Sequence, residues 1–296
     1  IEELEKALSQ KDAEQEKLQA EAVTREEIPG LMEAMKAEGG PLEMLQDHIR
    51  LSGLLEFGGV WADTDMQSGP GRTESDLNLT TAELALQAEI SSWINGAMIL
   101  KYEDPTFAVL LEESGLSLDV GAITFGDPER FPLYFTGGAF YVPFGALYTH
   151  FPDSPLVNSP LTLSLGEMRE KAALVGLTID GLSLSGYAFN GDMDEEGKEN
   201  RIETYGLDAR YDLRTEIGVA GTFGASYISN MADSDGITEA LQGEGIHSIK
   251  TYIGGFDGYV SLDYSNFFLD MEYMTAVDRF KPEELSIGSG RGEKPR

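Results

Sequence analysis

The sequence predicts an all-β protein, an antiparallel up-and-down transmembrane β-barrel preceded by a short α-helical or coiled-coil segment. Three observations predict it. From Ile49 onward, apolar and polar residues alternate in segments of about ten residues, the pattern of strands with one apolar face. The connectors between these segments are alternately tight and long, as in barrels with short periplasmic turns and longer external loops. No run approaches the ~20 consecutive apolar residues of a transmembrane helix. A mean hydropathy of -0.21 fits a barrel all the same, because only alternate residues of its strands face lipid.

Two regions follow from composition. Residues 1–40 form a helical or coiled-coil segment with its linker, and residues 41–296 form the barrel. The first is rich in Glu, Lys, Gln and Ala. Ile1, Leu4, Leu8, Leu18 and Ala22 fall on heptad core positions, while Lys11, Gln15 and Arg25 interrupt the same stripe. The segment reads either as a solvated single helix or as the end of a coiled coil that makes the protein a homo-oligomer. Pro29-Gly30 breaks it and Gly39-Gly40-Pro41 ends it.

Eleven strands are predicted, near 49–62, 77–90, 94–103, 116–125, 132–142, 169–179, 182–190, 203–212, 216–228, 251–263 and 267–276. In the first, Ile49, Leu51, Leu55, Phe57 and Trp61 share a face opposite Arg50, Ser52 and Glu56. The second sets Ala82, Leu84, Leu86, Ala88 and Ile90 against Thr81, Glu83, Gln87 and Glu89. The eleventh sets Phe267, Leu269, Met271 and Tyr273 against Asp270 and Glu272. Tight turns at 91–93, 126–130, 180–181, 213–215 and 264–266 alternate with long connectors at 63–76, 104–115, 143–168, 191–202 and 229–250. The first strand then rises from the periplasm, which leaves the N-terminus there. Trp61, Trp93, Tyr102, Tyr205, Tyr211, Tyr252 and Tyr273 lie near strand ends, where interfacial girdles form. Gly137-Gly138 suits a strand bend and not a phosphate cradle, since no helix follows. Eleven is odd, whereas bacterial single-chain barrels use even counts, and an open edge in lipid is costly. A barrel incomplete at its C-terminus is therefore expected.

The chain carries 52 acidic and 21 basic residues, a formal charge of -31. Phosphate binding needs clustered Lys and Arg, so no nucleic-acid partner is expected; outer-membrane lipid and small cationic solutes are. Glu56, Glu83, Glu89, Asp208, Arg210, Asp257, Asp263, Asp270 and Glu272 occupy the polar face and are predicted to line the pore. Rings of carboxylates concentrate cations; ordinary lumen polarity with ion pairs across the wall is the plainer reading of the same residues. Asp192, Asp194, Glu196, Gly197 and Glu203 fall near the spacing of a calcium loop. Glu196 and the strand-like flanks depart from it, so Ca2+ competes with a merely soluble acidic loop. Met231-Ala-Asp233-Ser-Asp235-Gly236 is a second acidic turn. No enzyme is expected: His48, His150 and His247 sit at a strand start and in two connectors, none beside a convincing nucleophile. With no Cys, thiolate sites and disulfides are excluded.

From Phe131 to Gly145 the sequence FPLYFTGGAFYVPFG resembles a known family, the LbtU-type siderophore porins of Gram-negative outer membranes. The resemblance continues through Leu161–Glu170, Tyr187–Gly197 and Tyr227–Gly236, and spans roughly residues 49–280. It implies a barrel of about sixteen strands when complete, preceded by a periplasmic coiled coil. It further implies uptake of a ferric siderophore through the outer membrane, and it carries over no binding residues. A general cation-preferring diffusion porin is the alternative, and a structural or adhesive barrel the third.

Overall fold

The structure, a computed structural model, describes residues 48–64, 72–103, 115–127, 130–148, 159–198 and 201–281. The chain divides into Ile1–Ile49 and Arg50–Arg296. The heptad positions and Pro29-Gly30 of the first unit lie outside the described residues.

Period-2 alternation produces one antiparallel sheet of eleven strands. In order they are β1 (Ile49–Thr64), β2 (Arg72–Ser91), β3 (Ile94–Glu103), β4 (Gly115–Phe125), β5 (Leu133–Tyr141), β6 (Arg169–Ile179), β7 (Leu182–Phe189), β9 (Thr204–Arg214), β10 (Val219–Ile228), β12 (Gly255–Tyr264) and β13 (Phe267–Ala276). Two-residue strands β8 (Asp194–Glu195) and β11 (Ser248–Ile249) pair in parallel within the long connectors. Every strand of the large sheet pairs with its sequence neighbour in that sheet, and β1 and β13 are not paired with each other. All eleven predicted strands are present. The shifts are at ends: β2 starts earlier than predicted, and β10 and β12 start later.

The two faces of the sheet differ in chemistry. One carries Leu51, Phe57, Leu84, Ile123, Val175, Leu207, Phe223, Phe256, Leu269 and Met271, all exposed to solvent in the isolated chain; Phe57 is 82% exposed. Burial of apolar surface drives folding, and the described part of the chain leaves this face unburied. The opposite face holds the intervening polar residues. At the long-connector end it also carries the core: Ala172, Leu174, Tyr187, Phe189 and Ile228 from the strands, with Val142, Phe144, Met168, Met193, Met231, Ile237, Leu241 and Ile249 from connectors.

Those connectors form a cap that the sequence did not predict. It contains α1 (Leu161–Gly166), a 3-10 turn (Met231–Asp233) and α2 (Asp235–Gly243). Ser234 caps α2, its side chain accepting the Ile237 N–H. α1 and α2 approach so closely that a Cβ at Gly236 would collide with the Ser164 carbonyl. Asp235 N–H donates to Glu167 O (2.9 Å), tying the β10–β12 connector to the β5–β6 connector, and Met231 N–H donates to Ile253 O (2.7 Å) within the former. Tyr252 is a correction of the girdle assignment: β12 begins only at Gly255, and Tyr252 packs against this core.

Candidate functional site

Below the cap, the polar face carries an open cavity of about 540 Å³. Tyr134, Thr136 and Phe140 of β5 form one wall, Ser183 and Ser185 of β7 another, and Asp208, Arg210 and Asp212 of β9 the third. Leu174, Tyr141 and Pro143 close it toward the cap. Strand alternation puts Asp208, Arg210 and Asp212 on one face at every second residue. Arg210 gives both Nε (3.1 Å) and Nη2 (2.9 Å) to Asp212 Oδ1, which also accepts the Thr222 hydroxyl at 2.7 Å. The guanidinium is thus committed to Asp212, and Asp208 faces the cavity as a carboxyl beside aromatic and hydroxyl groups.

Tyrosine rings shape this face through glycine. Tyr134 lies directly across from Gly176, Tyr187 from Gly206 and Tyr259 from Gly224. A Cβ on any of these glycines would fall inside the facing ring. Each ring therefore lies flat over its neighbour strand, an aromatic cover of the kind that fixes sheet register. The phenol groups are left to hydrogen bond, as Tyr187 does to Pro143 O (3.2 Å).

All the predicted pore-lining residues occupy the polar face, alternating with exposed apolar ones: Glu56 between Leu55 and Phe57, Glu83 before Leu84, Glu89 before Ile90, Asp263 before Tyr264, Asp270 between Leu269 and Met271. Glu83 lies opposite Lys101, itself bonded to Glu103 at 2.9 Å. Two are set apart by the cap. Asp257 is wholly buried and so lines no open space, and Glu272, half-buried, is bonded to the β5–β6 connector.

The predicted calcium loop does not assemble. Among the described residues no group of three or more Asp, Glu, His or Cys side chains is placed to hold a metal ion. The physical reason is local. Pairing of Asp194–Glu195 with Ser248–Ile249 holds these two residues extended, with the turn at Gly197 beyond them. Lys198 meanwhile bonds Glu195 (2.9 Å) and lies 3.8 Å from Glu203, which Arg201 approaches from 3.8 Å.

The cap instead uses a carboxyl that the sequence offered only as a second acidic turn. Asp233, 1% exposed, accepts the Met193 N–H (2.9 Å), the Thr204 hydroxyl (2.8 Å) and the Asn230 amide (3.0 Å). It clasps the β7–β9 connector to the β10–β12 connector. Burial nonetheless pushes its carboxyl up to about 6, with Asp192 adding to the rise. Burial likewise pushes Asp235 to about 6 and Glu167 to about 7, the latter helped by Asp235. Asp119, which the alternation of β4 concealed, is the extra residue of a bulge against β3. It accepts the Tyr141 hydroxyl at 2.7 Å.

A pH dependence of the cap follows. Acids whose folded values lie above their unfolded ones bind protons more readily when folded, so their linkage makes the cap less stable as pH rises from about 4 to about 7. Amide exchange across residues 229–254, corrected for intrinsic rates, is expected to be slower at pH 5 than at pH 8. Equal or reversed protection would contradict the assignment.

Fold and site together define an all-β chain whose antiparallel sheet has one exposed apolar face and one polar face capped by its own connectors. No family model matches the chain. It is similar to a UPF0422 protein of Coxiella burnetii, 27% identical over 273 residues, covering 90% of this chain and 54% of the relative. It is also similar to UPF0422 protein lpl2888 of Legionella pneumophila (strain Lens) and lpp3030 of strain Paris, each 25% identical over 76% of this chain and 43% of the relative. The chain spans about half the length of the curated relatives it matches.

Proposed function

We propose that this chain is the wall of an outer-membrane β-barrel with a periplasmic N-terminus, whose capped lumen takes up a ferric siderophore. The observation that carries the reading is the exposed apolar face running across all eleven strands, opposite a polar face. In water that surface favours aggregation; in a bilayer it is the surface a barrel presents to lipid. The sorting of tight and long connectors to opposite ends supports the same reading. No helix among the described residues is long and apolar enough to cross a membrane, which bears only on helices. Strands in lipid leave no unpaired edge, so β1 and β13 would meet further strands of a longer protein.

The siderophore as cargo rests on the resemblance to LbtU-type porins. A cavity of about 540 Å³ walled by tyrosines, serines and an Asp–Arg–Asp row lies within the size range of small-ligand sites. The acidic excess favours a second reading, a general cation-preferring diffusion porin. Planar-bilayer conductance of the full-length protein separates them. Saturable block by ferric siderophore is the expected result; ohmic, cation-selective current without block would replace the first reading with the second.

The membrane placement has its own test. Val175, in the middle of β6 and 56% exposed, would face lipid. Val175→Arg is expected to cost ~2–4 kcal/mol of folding stability in bilayers and to lower folding yield into lipid vesicles. A Val175→Arg protein that folds into vesicles as well as the parent would contradict the placement.

A further inference from the structure

Two carboxyls, the wholly buried Asp257 and the half-buried Glu272, meet under the β5–β6 connector, and only one of them has hydrogen-bond donors. Glu272 of β13 accepts the Ala146 N–H (2.7 Å) and the Thr162 hydroxyl. Asp257 of β12 is 0% exposed, and neither of its carboxyl oxygens has a hydrogen-bond partner. Both carboxyls flank Gly145: a Cβ there would lie 2.9 Å from Glu272 Oε1 and 3.6 Å from Asp257 Cγ. Ser226 stands directly across from Asp257 on β10 and accepts the Gly145 N–H at 2.8 Å. Among the described residues, no Lys, Arg or His forms an ion pair with either acid.

Oxygen atoms thus converge from three strands on one turn of the chain, with charge and no counter-charge. Buried charges persist when they are paired or coordinate a metal. A carboxylate also has about four acceptor positions, so the two bonds to Glu272 leave it room for a further partner. We propose that Asp257, Glu272 and Ser226 form a site for a hard divalent cation of the Ca2+ class, which seats the Val142–Ala146 turn of the cap on the sheet. Ca2+ accepts several oxygen ligands in flexible geometry, backbone carbonyls among them, whereas Mg2+ retains several waters. With Asp257 and Ser226 buried, the site favours the former. The cation would bind β10, β12 and β13 to the connector that also walls the cavity. This site does not depend on what passes through the lumen.

The test uses the full chain folded in detergent, stripped with chelator and then titrated with Ca2+ or Mg2+. Ca2+ at ~100 times its Kd is expected to raise Tm by about 5–10 °C, with Mg2+ much weaker, and radiolabelled Ca2+ should be retained on dialysis. Asp257→Asn, which keeps the shape and removes the charge, should lose the shift, and Asp194→Asn in the external connector should keep it. Should Asp257→Asn fail to fold, Ser226→Ala serves instead, with an expected fall in Ca2+ affinity of about tenfold. The proposal is overturned by no Ca2+ retention, by a shift that survives Asp257→Asn, by unchanged affinity in Ser226→Ala, or by a shift lost in Asp194→Asn.

Discussion

Asp233→Ala is expected to cost ~4 kcal/mol and to release the cap from the sheet. The carboxylate is the common acceptor for Met193 N–H, the Thr204 hydroxyl and the Asn230 amide, and all three donors belong to residues 2% exposed or less. Each buried donor left without an acceptor costs about 1–3 kcal/mol. Two of these bonds, from Met193 and Thr204, cross from one connector to the other, so their loss weakens a junction otherwise held by the short β8–β11 pair, the Asn230–Met193 O bond (3.3 Å) and shared apolar packing. Exchange protection should fall first in residues 190–203 and 229–254 while the strand centres keep theirs, and Tm should drop with it. Gly191 supplies an internal check. A Cβ at Gly191 would collide with the Asp233 carboxylate, so Gly191→Ala should be strongly destabilising in the parent. In the Asp233→Ala background the space is vacant, and the same substitution should cost far less. Additive costs in that cycle would refute the clasp.

The strands were legible because alternation of apolar and polar faces writes itself into every second residue. The β6 segment, with Val175 and Leu177 on one face and Leu174 and Gly176 on the other, is a strand whatever surrounds it. The cap was not legible, since its elements are short and hold by tertiary contact. α1 has six residues, no acidic residue in its first turn and no side-chain cap, and propensity alone would not fold it. α2 did carry a signal, Ser234 as cap with Ile237 and Leu241 four apart, which the acidic turn reading passed over. At the site, face was readable and depth was not. Asp257 and Asp263 have equal standing in the pattern of β12, yet only the first lies beneath the β5–β6 connector. That difference comes from residues more than a hundred positions away, and no local spacing encodes it. Asp119 failed for another reason: a bulge adds one residue to the count and shifts the phase of everything read across it.

The Gly137-Gly138 pair shows how the structure divides a signal that the sequence could only flag. Both glycines sit in β5 opposite β4, across from Ile123 and Ala122. At Gly137 a Cβ would meet the Phe135 ring at 3.4 Å, ordinary contact with a side chain that has room to turn. At Gly138 the backbone has φ +143°, and a Cβ would run into the Gly121 carbonyl and lie 2.6 Å from Ala122 Cα. Main chain cannot step aside as a side chain can, and β4 is held on its other edge by β3. Gly138→Ala therefore has to move β4 or break its pairing with β5, which is only five residue pairs long. With disfavoured φ costing about 1–3 kcal/mol and overpacking a similar amount, a loss of ~3–5 kcal/mol is expected. Gly137→Ala should cost under ~1 kcal/mol. Gly96→Ala, with nothing within 4 Å of its Cβ, should be neutral or slightly stabilising, because alanine narrows the unfolded ensemble. Folding yield in detergent and the denaturant midpoint would rank the three. If Gly138→Ala tracks Gly96→Ala, the close approach of β4 and β5 is wrong, and with it the placement of Tyr134 and Thr136 in the cavity wall.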